Sequence, residues 1–285
     1  MRRGYADTQL GQIHYTTWGA ATSPALLLLP QVANSANMFR GLAEALQADY
    51  RLVVLEYPGS GWSDPLPDGT SFDAIAAAFF EAMEQLDIRE FAVYGHHTGN
   101  KIAARMAAAR PDRVSGLIFV GQSHSIVADN ARRSGTVGKT KRKLLKQADA
   151  REAALVQWTD LFNRLNAKWW AEDLMRNIED DTARAFTARK IADDALAAMS
   201  IPTLYRANFA YDLEHDLRTL QTPTLVVEIA TPSEDALVGR QGKHLEQVIE
   251  HVQVVVMEEP DWHGNTMEHR AAELASLVRT FLKRS

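Results

Sequence analysis

The chain has 285 residues, a hydrophobic fraction of 46%, a charged fraction of 24% and a formal net charge of −5. This length accommodates one large α/β core with an insertion, and the composition is ordinary for a globular protein. The charge balance argues against a surface that binds nucleic acid or an anionic membrane. Cysteine is absent, which excludes disulfides, thiolate nucleophiles and thiolate metal ligands.

The amino-terminal segment carries no targeting or membrane signal. Met1–Tyr5 lacks the apolar core of a signal peptide, and the apolar run Ala25–Leu29 is too short to span a bilayer. We therefore expect a cytoplasmic protein that acts on a small molecule, with neither nucleic acid nor a membrane as partner. The sequence leaves the oligomeric state open, a homodimer included.

Short apolar runs alternate with helical patterns along most of the chain. Gly4–Thr8 and Gln12–Thr16 predict an opening hairpin. Six runs that are wholly or largely apolar predict buried strands: Ala25–Leu29, Leu52–Leu55, Phe91–Tyr94, Leu117–Val120, Thr224–Ile229 and Gln253–Met257. Apolar spacings and small residues predict helices at Phe72–Leu86, Asn100–Ala109 and Ala271–Leu282. The alternation predicts an α/β fold with a mostly parallel sheet of about eight strands, flanked by helices.

One long segment breaks the alternation. From about Ser123 to about His215 the sequence has helical patterns and no strand run. We interpret residues 123–215 as a helical cap inserted after the sixth strand, in a core formed by residues 1–122 and 216–285. The segment begins basic, which we interpret as a solvated helix face, and its later aromatic residues predict a cap core and part of an apolar pocket.

The segment Val93–Asn100 reads VYGHHTGN, between a predicted strand and a predicted helix rich in small residues. In a Gly-x-nucleophile-x-Gly bend, the central residue is strained and its flanking positions leave no room for side chains. Gly95 and Gly99 stand at the two flanking positions, and His97 stands between them. This segment resembles the nucleophile elbow of the α/β-hydrolase family.

The resemblance extends over nearly the whole chain. Glu56–Asp64 reads EYPGSGWSD and is similar to the family's Asp-x-Pro-Gly-x-Gly-x-Ser-Asp loop. Arg110–Val114 is similar to the segment before the next strand, and Thr222–Val227 to the strand that precedes the catalytic acid. His263–His269 resembles the loop of the catalytic histidine. The resemblance implies an α/β-hydrolase fold and hydrolase activity. The sequence has no nucleotide-binding glycine pattern after a strand, so no nucleotide cofactor is implied.

The resemblance also implies a catalytic set. His263 matches the base, and Asp235, 28 residues before it, matches the acid. Glu234 is an alternative acid, and Glu228 is a weaker one because it lies within a predicted strand. The nucleophile position is His97.

Histidine at position 97 departs from the family's serine, cysteine or aspartate. An imidazole can attack a carbonyl carbon, although the resulting acyl-imidazole hydrolyses readily. It can also act as a general acid or base near neutral pH. The sequence leaves these roles open.

The loop after the first buried strand also departs from the family, because it reads PQVANS instead of beginning His-Gly. The family pattern implies that the backbone N–H groups of Val32 and Thr98 stabilise an oxyanion. The side-chain amide of Gln31 or Asn34 is a further candidate donor.

Further side chains are expected at the same cleft. We assign His96 to the pocket wall or to support of the site, and His124 and Trp262 to substrate contact. The alternatives are a cap hinge for His124 and loop packing for Trp262. A zinc site is not favoured, since no His-x-x-x-His pattern occurs and the neighbouring side chains of His96 and His97 should diverge.

Three functions remain open at this point. The first is a hydrolase of a small, partly apolar carbonyl compound, such as an ester, a lactone or a C–C bond. The second is a non-hydrolytic acid/base enzyme, namely a lyase, isomerase, decarboxylase or cyclase. The third is a catalytically inactive binding protein. We favour the first, because an inactive site has no physical need of His263, an acid and both elbow glycines.

Overall fold

The computed structural model describes residues 1–32, 34–121, 189, 192–193, 195–197, 199–232, 235, 239–259 and 266–283. Its strands are β1 (Arg2–Thr8), β2 (Gly11–Trp18), β3 (Ala25–Leu29), β4 (Arg51–Leu55), β5 (Phe91–His96), β6 (Val114–Val120), β7 (Thr224–Ala230) and β8 (Val252–Glu258). They form one eight-stranded sheet in the order β1-β2-β4-β3-β5-β6-β7-β8. The pairs β1–β2 and β2–β4 are antiparallel, and the other five are parallel.

Helices connect most of the strands. They are α1 (Arg40–Leu46), α2 (Phe72–Gln85), α3 (Thr98–Ala109), α4 (Ile201–Ala210), α5 (Leu213–Leu217), α6 (Gly242–Val248), α7 (Thr266–His269) and α8 (Ala271–Leu282), with a 3-10 turn at Ala36–Phe39 before α1. Ser71 caps α2, because its hydroxyl accepts the Ala74 N–H at 3.2 Å. No helix among these described residues is long and apolar enough to cross a membrane.

Two apolar clusters cover the two faces of the sheet. Alternate side chains of β3 point to opposite faces, so Leu27 and Leu29 join one cluster while Leu26 and Leu28 join the other. Helices α2, α3 and α6 cover the first face, and α1 and α8 cover the second. Burial on both faces explains why the central strands are uninterrupted apolar runs.

The sequence-based prediction of the fold class is confirmed. All eight predicted strands occur, with ends within three residues of those predicted, and α3 begins two residues earlier than expected. Between β6 and β7 the described residues form helices and no strand. Helix α5 spans the predicted boundary between residues 215 and 216. Much of the predicted cap, including residues 123–188, lies outside the described residues, so its extent stays a prediction.

A buried lysine joins the core to the predicted cap. Lys101 on α3 is fully buried, and its Nζ donates a hydrogen bond to the Asn208 carbonyl in the last turn of α4, at 2.8 Å. Burial lowers the pKa of Lys101 from 10.5 to about 7, because the charged form loses its hydration. In the unfolded chain the amine regains its ordinary pKa, so the unfolded chain binds more protons between these two values.

We predict that the free energy of unfolding rises between pH 7 and pH 9, by up to about 1.4 kcal/mol per pH unit from this residue. Urea unfolding across that range measures the slope. Lys101→Met should flatten it, whereas Lys243→Met, at an exposed position on α6, should leave it unchanged. Equal slopes in the parent and Lys101→Met would contradict a lowered pKa in the folded protein.

Candidate active site

The loops that carry the predicted site residues leave the same edge of the sheet. Strands β3, β5, β6, β7 and β8 run parallel, so their carboxyl ends lie along that edge. The crevice beyond the carboxyl ends of parallel strands is where α/β sheets bind ligands. The described part of this edge holds the loop after β3, the bend after β5 and the chain beyond β7.

His97 lies at the bend between β5 and α3, in a strained backbone conformation. Its φ of 47° and ψ of −105° place it in the left-handed half of backbone space, which few side chains tolerate. Its N–H donates to the Val120 carbonyl at 3.0 Å, which ties the bend to the end of β6. The side chain is partly exposed. The strand therefore ends in a tight turn that presents an imidazole.

The two elbow glycines are required by close backbone contacts. A Cβ on Gly95 would lie 2.5 Å from the Gly99 carbonyl carbon, and a Cβ on Gly99 would lie 2.2 Å from the Leu29 carbonyl oxygen. Both distances are below any tolerable contact with backbone, which cannot move aside. The start of α3 is thus pressed against the ends of β5 and β3, as the Gly-x-x-x-Gly spacing predicts.

Asn100 fixes the first turn of α3 to β6. Its amide nitrogen donates to the carbonyls of Val120 and Gly121 at 3.3 and 3.1 Å, and its amide oxygen accepts the Val120 N–H at 3.2 Å. Asn100 is buried, so these bonds are shielded from water. This role could not be predicted from the sequence, because the bonding groups of Val120 and Gly121 lie about twenty residues away along the chain.

The rings of His96 and His97 touch, contrary to the expectation that they diverge. Their centroids are 4.4 Å apart and their planes are nearly perpendicular, at 86°. The alternation of side chains in a strand stops at His97 because its φ is positive, and this conformation turns the ring back towards His96. That part of the sequence prediction is wrong.

His96 is a buried, neutral neighbour of His97. Burial, and secondarily the adjacent His97, lower the pKa of His96 well below its usual value. Within the described residues, its Nδ1 has no hydrogen-bond partner. A Cβ on Gly121 would lie 2.9 Å from His97 Nε2 and 3.2 Å from His96 Cε1, so this glycine makes room for both rings.

The predicted oxyanion loop follows β3 beside the elbow. Val32 and Asn34 are buried, Gln31 is partly exposed, and the Asn34 N–H donates to the Gln31 carbonyl at 3.0 Å. Thr98 is the first residue of α3, and N–H groups in the first turn of a helix lack partners within that helix. The helix dipole adds a partial positive charge at the same position.

Buried polar side chains hold this loop. The Tyr57 hydroxyl donates to the Pro30 carbonyl at 2.9 Å. Glu56 accepts the Ala36 N–H at 3.1 Å and the Trp62 N–H at 2.8 Å, and His14 Nδ1 lies 2.9 Å from the same carboxylate. Glu56, the first residue of the motif Glu56–Asp64, thus supports the predicted oxyanion loop. The sequence did not reveal this role.

The acid candidates occupy different surroundings. Asp235 is exposed, pairs with Arg240 Nε at 2.8 Å and donates its N–H to the Thr231 carbonyl just beyond β7. Glu228 is buried within β7 and accepts the N–H groups of Gln241 and Gly242 at 2.5 and 2.8 Å. Glu228 therefore caps α6, whereas the Asp235 carboxylate pairs with Arg240.

Four other predicted residues lie outside the described residues: His263, Trp262, His124 and Glu234. An ion pair joins residues on either side of His263 in the sequence: the Arg270 guanidinium, just before α8, lies 3.2 Å from the carboxylate of Glu259, just after β8. Among the described residues, no three histidine, aspartate or glutamate side chains are grouped to hold a metal ion.

Residues 24–259 match the profile of the α/β-hydrolase fold family, so the chain belongs to that family. It is a hydrolase-class member of the superfamily, since relatives matched along most of its length carry hydrolase names. A putative carbamate hydrolase of Stutzerimonas stutzeri is 27% identical over 252 residues, covering 86% of this chain and 88% of that protein. An uncharacterized hydrolase of Saccharomyces cerevisiae is 31% identical over 108 residues, which cover 38% of this chain and 37% of that protein.

Solved structures show the same fold at lower identity. A putative α/β hydrolase from Nostoc superposes with a TM-score of 0.75 at 20% identity, covering 100% of this chain and 98% of that chain. An enol-lactonase from Burkholderia xenovorans superposes with a TM-score of 0.72 at 17% identity, covering 98% of this chain and 100% of the other. These similarities support the architecture alone.

Gly121 tests the packing at the elbow, and Gly69 is its matched control. Both have positive φ, of 71° and 76°, but a Cβ on Gly69 would meet nothing within 4 Å. We predict that Gly69→Ala and Gly121→Ala each lose about 1–2 kcal/mol of unfolding free energy through backbone strain. Only Gly121→Ala should shift the imidazole NMR signals of His96 and His97. Unchanged ring signals in Gly121→Ala would contradict the close contact.

Proposed function

We propose that this protein hydrolyses a small, partly apolar carbonyl compound, such as an ester, a lactone or an activated C–C bond, with His97 as the reacting group. The proposal includes His263 as the partner base and Asp235 as the acid, with Glu234 as the alternative acid. The observation that carries it is the strained bend that presents His97 at the amino-terminal end of α3.

The surroundings of His97 suit an acyl-transfer reaction. A carbonyl carbon in contact with the imidazole would have its oxygen near the first-turn N–H groups of α3, including that of Thr98. The N–H of Val32 is the proposed second donor, and Gln31 or Asn34 could supply an amide. Preorganised donors of this kind stabilise the negative charge that develops on the oxygen in the transition state.

Two chemical routes use the same groups. In the first, His97 attacks the carbonyl carbon and loses its ring proton to His263, His263 gives that proton to the departing leaving group, and water then hydrolyses the acyl-imidazole. In the second, His97 takes a proton from a water molecule that attacks the carbonyl carbon, and the tetrahedral intermediate then collapses as the leaving group departs with that proton. His96 stays neutral beside His97 in both routes, because burial opposes its protonation.

The names of similar proteins suggest the substrate class. A putative carbamate hydrolase matches most of this chain. Carbamates and lactones both contain a carbonyl carbon bonded to a heteroatom, which is the bond that an oxyanion-stabilising site cleaves. We therefore extend the proposed substrates to small carbamates.

His97→Ala tests the proposal, with His251→Ala, at an exposed histidine, as the matched control. We predict that His97→Ala lowers kcat/KM for p-nitrophenyl acetate by at least about 100-fold, because general-base or nucleophilic assistance is removed. His251→Ala should stay within twofold of the parent. An active His97→Ala variant would contradict the assigned role.

Solvent labelling separates hydrolysis from the non-hydrolytic alternatives. Turnover in ¹⁸O-enriched water should place one labelled oxygen in the carboxylate product, since both hydrolytic routes consume water. A product formed without the label would indicate a lyase or isomerase. A binding protein would be indicated by a different result. In that case the parent would turn over no ester, lactone or carbamate, and the parent and His97→Ala would bind such compounds equally tightly.

A further inference from the structure

Two described residues before α4, Arg189 and Asp193, make contacts with other parts of the chain. Arg189 and Asp193 both have helical backbone and stand four residues apart, the spacing that places side chains on one face of a helix. Asp193 contacts the chain after β3, whereas Arg189 contacts α7, which follows the loop of His263.

Asp193 binds the end of the oxyanion loop. Its Oδ2 accepts the Ser35 N–H at 3.0 Å, and its Oδ1 accepts a bond from the Asn37 amide at 3.4 Å. Asp193 is only 4% exposed. A buried carboxylate is costly unless hydrogen bonds compensate for its lost hydration, so these contacts fix its position as well as that of the loop.

Consecutive backbone groups of the loop are therefore bound by two different carboxylates. Asp193 takes the Ser35 N–H, and Glu56 takes the Ala36 N–H at 3.1 Å. The bond from Asn34 N–H to the Gln31 carbonyl closes a turn that contains Val32. A shift of Ser35 would thus be transmitted through this turn to the Val32 N–H, the proposed oxyanion donor.

Arg189 forms an ion pair with a residue of α7. Its guanidinium lies 2.5 Å from the Glu268 carboxylate on α7, and both side chains are largely buried. Glu268 itself packs tightly against α1, because a Cβ on Gly41 would lie 2.9 Å from the Glu268 Cα. The ion pair therefore ties the described residue Arg189 to helix α7.

We propose that Asp193 is a positioning residue, which holds residues 34–37 so that the Val32 N–H points at the developing oxyanion. This inference rests on the proposed hydrolase function. It assigns to the segment before α4 a part in transition-state stabilisation that is separate from substrate binding.

The expected kinetic signature is a loss of kcat without a comparable change in KM. Removing an oxyanion donor outright costs about 100- to 1,000-fold in kcat, and a displaced donor should cost less. We expect Asp193→Asn to lower kcat for p-nitrophenyl acetate by roughly tenfold, with KM within about twofold. Asp193→Glu, which keeps the charge, should recover part of the loss.

Asp216→Asn is the matched control. Asp216 is also buried and accepts two bonds from Arg105, at 2.9 and 3.0 Å, and one from the Tyr211 hydroxyl at 2.5 Å, but it joins α5 to α3 away from the loop. The variant Asp216→Asn should lower the urea midpoint without the selective loss of kcat. If kcat falls as far in Asp216→Asn as in Asp193→Asn, the proposal is overturned.

Hydrogen exchange measured by mass spectrometry tests the positioning without any substrate. Peptides covering residues 30–39 should exchange faster in Asp193→Asn than in the parent, and at the parent rate in Asp216→Asn. Unchanged exchange in Asp193→Asn would overturn the proposal even if the parent is active. If the parent hydrolyses nothing, faster exchange in Asp193→Asn than in the parent would still support the positioning contact, while the missing turnover would reject the hydrolase function separately.

Discussion

The arrangement depends on the backbone of residue 97, which must have positive φ for β5 to turn directly into α3. A histidine in that conformation is strained by an amount of order 1–3 kcal/mol, so the surrounding contacts must hold it there. Asn100 bonds the first turn of α3 to β6, and His97 N–H bonds to Val120. Gly95 and Gly99 let the strand and helix approach within distances that any Cβ would prevent.

In the proposed function, the bend also lets an imidazole stand at the nucleophile position without rearranging the proposed donors around it. The proposed backbone donors, the N–H groups of Val32 and Thr98, do not depend on the side chain at position 97. The imidazole needs additional space, and Gly121 at the end of β6 provides it. His96 packs against its edge and remains neutral because it is buried. Strain, backbone donors and ring packing thus converge at one turn.

The sequence predicted those features that repeat locally. Uninterrupted apolar runs predicted the strands, and the spacing of Gly95 and Gly99 predicted the tight bend. It could not predict the roles of Asn100, Gly121 or Asp193, because each bonds or packs with a segment far along the chain. The contact of the His96 and His97 rings was also missed, since the strand pattern does not extend through a residue with positive φ. His263 and Trp262 lie outside the described residues and stay predictions.

The central claim is that the imidazole of His97 is the group on which activity depends. Diethyl pyrocarbonate modifies accessible neutral imidazoles, and peptide mapping resolves the modification at each histidine. We predict that loss of p-nitrophenyl acetate hydrolysis follows the modification of His97 at the same rate, while buried His96 stays unmodified. Full modification of His97 with activity retained would contradict it.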